Sequence, residues 1–432
     1  MPIDKIMNTE QELAFTYAKE GKSFFLTGKA GVGKSYLIEK IRDELEASNK
    51  TVAVTAMTGC AAVLLGTKAK TLHSWAGIGL GRDPPVVLIQ TIRKIEKYRT
   101  RWRMVDTLIL DEISMMTPDL LETLDTIARA IRFKNSHLPM GGIQCIFVGD
   151  FYQLPPVTRD GELKFVFESP KWKEIFPKTV ELTQIIRQDN PVFHRILHEA
   201  RDGTLSEESL AILREKQGLP WQKLEIRPTL LFSRKFEVDH VNMVNLKKLT
   251  SQRQLYKATT VLDPTCTLKN DKIQQAIQKC DRDAPYSTEL ILAIGAQVML
   301  LKNVNTEAGL VNGSRGVVVG FTETTFPLPI VKFKNDLQHT VDYATWDCFD
   351  LEGVKRKQIP LVLAYAITIH KAQGATLDCV LIDVGASTFE YGQAYVALSR
   401  LRNLDSLYIW NLEPEAFRTH TKVKEFYESL RT

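Results

Sequence analysis

Gly28-Lys29-Ala30-Gly31-Val32-Gly33-Lys34-Ser35 reads G-x-x-x-x-G-K-[ST] with nothing missing. Glycines at that spacing let the backbone wrap phosphate oxygens, and the amides opening the next helix point at the anion. Lys34 is placed to reach the β- and γ-phosphates, and Ser35 to ligate Mg²⁺. The candidate ATP loop is therefore Gly28, Ala30, Gly31, Val32, Gly33, Lys34 and Ser35. Asp111-Glu112 follows the apolar run Leu108–Leu110, so both carboxylates fall at a strand's C-terminal end, where open α/β sheets place ligands. Asp111 is expected to hold Mg²⁺ through water, and Glu112 to polarise the attacking water. The chemistry implied is Mg²⁺-dependent hydrolysis of a nucleoside triphosphate.

Such residues need a sheet to hold them, and the first half of the chain alternates β and α patterns. Ser23–Thr27, Thr51–Ala56, Thr107–Leu110 and Ile143–Val148 are short apolar or β-branched runs. Continuous runs of that kind suit strands buried on both faces of a parallel sheet. Lys34–Ala47 carries Leu37, Ile38, Ile41 and Leu45 at helical spacing, and Pro118–Arg132 carries a second stripe. The pattern is helical around Phe193–Lys216, and Thr229–Ser233 restarts the alternation. Lys257–Lys357 breaks into short β-like stretches between Gly, Pro, Asn and Asp, such as Gln297–Leu301, Gly316–Phe321 and Ile330–Phe333. From Leu361 the α/β texture returns, with a strand at Cys379–Val384, a helix near Gly392–Arg400 and a strand at Ser406–Trp410.

Composition sets looser bounds. The chain has 432 residues and a formal net charge of +5, with a quarter of residues charged and 44% apolar, which excludes a disordered tail. At about 150 residues per domain the length suggests roughly three domains. No apolar run reaches the roughly 18 residues of a membrane span. The N-terminus lacks the apolar core of a signal peptide and the Arg-rich look of a transit peptide, so an intracellular location is expected, in nucleoid, nucleus or mitochondrion. Six scattered cysteines without a Cys-x-x-Cys pair argue against a zinc module and fit reduced thiols. So small a net charge identifies no partner.

Further motifs carry a resemblance. Asp111-Glu112-Ile113-Ser114-Met115, with Asp119-Leu120-Leu121 and Leu124–Arg129 after it, resembles the signature of the PIF-type helicases of superfamily one, subgroup B, relatives of the RecD helicases. Gln11 in Asn8-Thr9-Glu10-Gln11 resembles that family's adenine-reading glutamine. Thr58-Gly59-Cys60-Ala61-Ala62 and Thr71-Leu72-His73-Ser74 resemble its first DNA-contacting motifs, and Gly149–Val157 (GDFYQLPPV) its third. Leu182–Gln188 (LTQIIRQ) resembles the fourth; Thr368–Gly374 (TIHKAQG) and Tyr395–Arg400 (YVALSR) resemble the fifth and sixth. The similarity extends over nearly the whole chain, with the motifs in family order.

Each has a physical reason. Gln153 lies just past a strand beside the phosphate loop, where its amide can sense the γ-phosphate. Arg187 and Arg400 lie outside the phosphate-loop half, and a guanidinium offered to the transferring group is worth about 10³–10⁵ in rate for arginine fingers generally. The resemblance adds Gly374 to the ATP-binding set. Thr58, His73, Ser74, Thr368, His370 and Lys371 are small donors or cations suited to phosphate oxygens of single-stranded DNA. His73 and His370 rest mainly on the resemblance. Trp75 could stack a base or form the apolar underside of a wedge. The basic stretch Arg93–Arg103 could grip duplex DNA or be a solvated helix. His194 and His198 lie i,i+4, but Arg195 stands where H-E-x-x-H needs Glu, so they read as helix surface. Asn312–Gly316 reads as a turn entering a strand.

The expected architecture is α/β, with two RecA-like parallel-sheet lobes. The first spans 1–180 with a wedge insert at about 64–84; the second spans 181–256 and 358–432. A β-rich insert at 257–357 resembles a small Src-homology-like barrel. With Gln11 so near Met1 and Arg400 so near Thr432, the chain reads as a nearly bare motor core. The resemblance implies an ATP- and Mg²⁺-dependent 5′→3′ DNA helicase, monomeric, acting on tailed, forked, G-quadruplex or RNA–DNA substrates in genome maintenance. Two rivals stand beside it. A nucleotide-switched single-stranded-DNA-binding ATPase predicts no strand separation; a small-molecule P-loop kinase predicts no stimulation by DNA.

Overall fold

Strands buried on both faces build the first unit. The structure is a computed structural model that describes residues 7–66, 69–79, 81, 83–156, 162–184, 190–224, 226–232, 234–263, 270–305, 307–348, 354–374, 376–385 and 388–431. The chain divides into two units, one of Met1–Pro191, Glu390–Gly392 and Thr419–Thr432, the other of Val192–Phe389 and Gln393–Arg418. In the first, β1 (Phe24–Gly28), β2 (Val52–Ala56), β3 (Lys70–Thr71), β4 (Thr107–Asp111), β5 (Gln144–Val148) and β6 (Lys178–Leu182) form one sheet in the order β3-β2-β4-β5-β1-β6. Every pairing in it is parallel. β1 and β5 are buried at every position, as continuous apolar strands between helical layers must be.

The helix Lys34–Ala47 buries Leu37, Ile38, Ile41 and Leu45, which pack with Ala14 and Ala18 of the helix Thr9–Lys19. Each large side chain so buried contributes about 1.5–3 kcal/mol. The helix Pro118–Ile131 starts at a Thr117 cap, whose hydroxyl accepts from the Leu120 amide, and buries Leu121, Leu124, Ile127 and Ile131.

Two edges depart from the sequence reading. Lys70–Thr71, inside the stretch expected as a wedge, pairs with Thr55–Ala56 as an edge strand of the main sheet. The tail differs more. Thr419–Thr432, expected in the second lobe, belongs to the first unit. The cause is aromatic: on the helix Thr421–Ser429, Phe426 stacks on Phe167 at 4.3 Å and meets Phe25, Phe151 and Trp172 edge-on or tilted.

The second unit has its own parallel sheet, in the order Ala366–Thr368, Thr229–Phe232, Val380–Val384, Leu407–Leu412. Between its first two strands in sequence the chain forms antiparallel pairings. Gln338–Thr340, Pro329–Phe333, Arg315–Phe321, Gln297–Leu300 and Leu361–Leu363 make five neighbouring strands around a core that includes Val298, Leu300, Val318, Val331 and Phe333. Ala344–Asp347, Val354–Gln358 and Thr259–Leu262 make a second sheet, and Arg253–Lys257 pairs with Glu289–Ala293. This stretch also holds a helix the β-rich reading missed, Asn270–Asp283, whose Ile273 and Ile277 pack with Cys348 and Val354.

Candidate nucleotide-binding active site

β1 delivers the loop 28–35. Gly28 has φ +142, and a β-carbon there would lie 2.4 Å from the Leu182 carbonyl oxygen, so only glycine lets β1 end against β6. Gly33 takes a left-handed conformation (φ 89) at the entrance to the helix Lys34–Ala47. Lys34 folds back so that Nζ donates to the carbonyls of Gly28 at 2.7 Å and Lys29 at 2.9 Å. Val32 is buried in the sheet-helix core, while Ser35 is exposed on the helix's first turn. Gly31 (φ 85) completes the curl, with Ala30 half-buried beside it.

β4 ends at Asp111, two strands over from β1 in the sheet order. Asp111 Oδ1 accepts from the Glu112 amide at 2.9 Å. Burial, then the neighbouring Glu112 charge, push the Asp111 carboxyl up to about 7, and Lys34 pulls it back. Glu112 is 8% exposed and sits at φ 58, a left-handed conformation unusual outside glycine and common at working sites. Two adjacent carboxylates at the end of β4 and the Ser35 hydroxyl on the helix after β1 are hard-oxygen donors, the kind Mg²⁺ takes. The residues fit that ion.

β5 leads into Gly149 and the turn 150–153, where the Gln153 amide donates to Asp150 O at 2.9 Å. Gln153 is 5% exposed, and its Oε1 has no hydrogen-bond partner among the described residues. Gln11 shows the same sign on its other atom. Its amide and Oε1 complete a reciprocal cap with Asn8, while buried Nε2 has no partner among the described residues. Buried polar groups are rarely left unmet without a reason, and a ligand is one.

Three connections were not legible from the motifs. Glu10 accepts from the Thr183 amide at 2.7 Å and from the Thr183 hydroxyl, and Asn8 Nδ2 donates to Gln184 Oε1 at 3.1 Å. The Gln11 helix is thus tied to the start of the fourth motif; Arg187 in that motif lies outside the described residues. Gly392 packs against the Tyr152 and Gln153 carbonyls. Tyr427 hydrogen-bonds Thr27 and Asp150.

For nucleic acid, the first unit offers Thr58 and His73, both half-buried. Thr58 Oγ1 accepts from the Ala61 amide at 3.2 Å. Ser74 is 7% exposed. Trp75 is buried with its ring 4.8 Å from Trp102, so it serves the apolar interior and offers no open face to a base. The basic stretch Arg93–Arg103 falls on two helices, Arg93 and Lys94 ending Pro85–Lys94 and the rest on Glu96–Met104, which clasps this region: Arg101 donates to the Ser74 and Trp75 carbonyls, and Trp102 Nε1 to Ala76 O at 2.9 Å.

In the second unit Thr368 ends a strand, 8% exposed. His370 and Lys371 lie on the short helix Ile369–Ala372, their side chains outside the description, and Gly374 follows in a left-handed turn (φ 76). Arg400 is 5% exposed. It donates to Val396 O at 2.9 Å, Ala372 O at 3.3 Å and Ser399 Oγ at 2.7 Å, which joins the fifth and sixth motifs. His198 pairs with Asp202 at 3.0 Å, four residues on. No described helix is long and apolar enough to cross a membrane.

With this geometry in place, comparison with known proteins is specific. The family model for PIF1-like helicases matches residues 6–209, and that for the DNA helicase Pif1 2B domain matches 281–321. The "ATP-dependent DNA helicase PIF1" of Danio rerio is 38% identical over 435 residues, covering 100% of this chain and 65% of that protein. The chain thus spans about two thirds of that relative's length. The crystal structure of Pif1 helicase from Candida albicans is 36% identical with a TM-score of 0.79, covering 98% of this chain and 99% of that one. Bacteroides Pif1 is 28% identical: in complex with ADP-AlF4 the TM-score is 0.80, with 99% and 98% covered. Bound to ssDNA the TM-score is 0.67, with the same coverage.

Proposed function

We propose that this chain, which belongs to the PIF1-like helicase family, is an ATP-dependent DNA helicase that moves 5′→3′ along single-stranded DNA and separates strands ahead of it. One observation carries the reading. The phosphate loop after β1, the carboxylates after β4 and the Gln153 turn after β5 share the C-terminal edge of one parallel sheet. The Danio rerio relative's name, and the Bacteroides complexes with ADP-AlF4 and with ssDNA, support it from outside.

In this reading the amides of 28–35 and Lys34 hold the phosphates, and Gln11 reads the base. Ser35 and Asp111 would hold Mg²⁺, which when bound would neutralise charge at the phosphate oxygens. Glu112 orients the attacking water and accepts its proton. Gln153 senses the γ-phosphate. Arg187 and Arg400 stabilise charge on the transferring group. Thr58, His73, Ser74, Thr368, His370 and Lys371 grip the phosphate backbone, with Gly374 in the nucleotide set. The substrates are tailed, forked, G-quadruplex or RNA–DNA structures, and the working form is a monomer.

The test is ATP hydrolysis with and without single-stranded DNA, joined to unwinding of duplexes with a 5′ or a 3′ tail. Many-fold stimulation and unwinding of the 5′-tailed duplex alone are expected. A requirement for a 3′ tail would sink the polarity. Stimulated hydrolysis with no strand separation would favour the nucleotide-switched binding protein instead.

A further inference from the structure

The hydroxyl of Tyr427, on a side chain 1% exposed, sits among three groups. It shares a 2.6 Å hydrogen bond with Thr27 Oγ1, accepts from the Phe151 amide at 3.2 Å and donates to Asp150 Oδ1 at 3.3 Å. A phenol has one proton to give. With that proton directed at the carboxylate, the Thr27 hydroxyl is the donor in the 2.6 Å contact. Thr27 immediately precedes Gly28 of the phosphate loop, and Asp150-Phe151 open the turn that ends at Gln153. Asp150 itself draws that turn tight, since Oδ1 accepts from the Tyr152 amide at 3.2 Å and its carbonyl from the Gln153 amide. One buried oxygen, 400 positions from Thr27 in sequence, therefore joins the ends of β1 and β5.

The ring is fixed by its own surroundings. It lies 4.9 Å from the Tyr152 ring, and neighbouring Phe426 is stacked on Phe167. We propose that Tyr427 is a positioning residue of the nucleotide site, its hydroxyl setting the spacing between the phosphate loop and the Gln153 turn. The C-terminal helix is then a working part of the hydrolytic machinery and more than a cover. The proposal rests on the hydrolytic reading above. Ground-state phosphate binding comes from the loop's own amides and Lys34, whereas the Tyr427 hydroxyl is bonded to Thr27, Phe151 and Asp150. The Gln153 turn matters when charge moves on the γ-phosphate, so loss of the bridge lowers kcat and spares KM.

The experiment uses the full chain with Tyr427→Phe, which removes one oxygen, and Thr27→Val and Thr27→Ser, which probe the bridge from its other end. Single-stranded-DNA-stimulated kcat should fall about tenfold in Tyr427→Phe and Thr27→Val, with KM for ATP within about twofold. Binding of a fluorescent ATP analogue should be unchanged. Thr27→Ser keeps a hydroxyl and should retain the parental kcat. The double variant Tyr427→Phe/Thr27→Val should be no slower than either single, because both break one bridge. Should Tyr427→Phe not fold, the Thr27 pair reports on the same hydrogen bond. Parental kcat in folded Tyr427→Phe or Thr27→Val overturns the proposal. So does a rise in KM that tracks a fall in Tm. An unmodified chain that hydrolyses no ATP on single-stranded DNA overturns the functional reading and this one with it.

Discussion

Gly392 packs so tightly on Tyr152 that a β-carbon at 392 would lie 2.3 Å from the Tyr152 carbonyl oxygen and 2.8 Å from that of Gln153. Gly392 directly precedes the helix Gln393–Leu398, which leads to Arg400. The residue packed on the Gln153 turn is thus the one that immediately precedes, in sequence, the segment ending at Arg400.

Gly392→Ala should therefore be severe. Its φ of +70 costs about 1–2 kcal/mol for any side chain, and the obstructing atoms are backbone, which cannot swing aside. Gly21, at φ +73 with nothing within 4 Å of a built β-carbon, is the matched control. Gly21→Ala should show only the conformational cost, and Gly392→Ala that cost plus a distorted Gln153 turn. Urea midpoints and stimulated ATPase would measure both. Equal behaviour of the two variants would refute the steric account.

Lys34→Ala should remove at least about a hundredfold of hydrolysis, the scale of a single transition-state charge partner. Binding to single-stranded DNA should be largely spared, since the proposed DNA residues lie elsewhere. Retained turnover in a steady-state ATPase assay would contradict the phosphate-loop assignment.

Glu10 and Thr183 give a quieter prediction. Their two hydrogen bonds tie the Gln11 helix to the strand end leading toward Arg187. Thr183 is exposed and Glu10 half-buried, so Glu10→Ala should cost only about 1 kcal/mol of stability. The visible effect should be on ATP: KM severalfold higher, kcat little changed. A fall in kcat with KM constant would show that the tie serves another step.

His420 ties the tail helix to pH. Its Nδ1 accepts from the Lys422 amide at 3.2 Å, and its ring lies edge-on to Phe165 and Tyr391. Burial, then Lys422, hold its pKa below the ordinary value, against the pull of Glu168 and Glu425. The fold thus favours neutral imidazole. The stability it contributes is whole above the unfolded pKa of about 6.5 and is lost as pH falls from there through the lowered folded value. His420→Asn keeps a capping acceptor without a titrating group. It should flatten that part of the pH profile in urea titrations between about pH 5 and 8; an unchanged slope would remove His420 from the account.

What the sequence made legible was local. Buried parallel strands are continuous apolar runs, so β1, β2, β4 and β5 stand out. The phosphate loop and Asp111-Glu112 are contiguous, so their place follows once the strands do. What it hid was non-local or compositionally disguised. Trp75 reads the same whether it faces a base or, as here, Trp102. Ile273 and Ile277 sit one turn apart amid polar residues, too thin a stripe to announce the helix Asn270–Asp283. Nothing near Val423, Phe426 and Tyr427 says which sheet they will cover, because their partners Phe25, Thr27 and Phe151 lie hundreds of residues earlier in the chain.

That distance also orders events during synthesis. Met1–Pro191 leaves the ribosome long before Thr419–Thr432 does, and until then the aromatic face around Phe25, Phe151 and Trp172 has no Phe426 to cover it. Closing so long a loop costs little more than closing a shorter one, because the penalty grows only with the logarithm of length. The exposure time is what grows. Between those two points a nascent chain carries an uncovered apolar surface, and that interval is where its aggregation hazard is greatest.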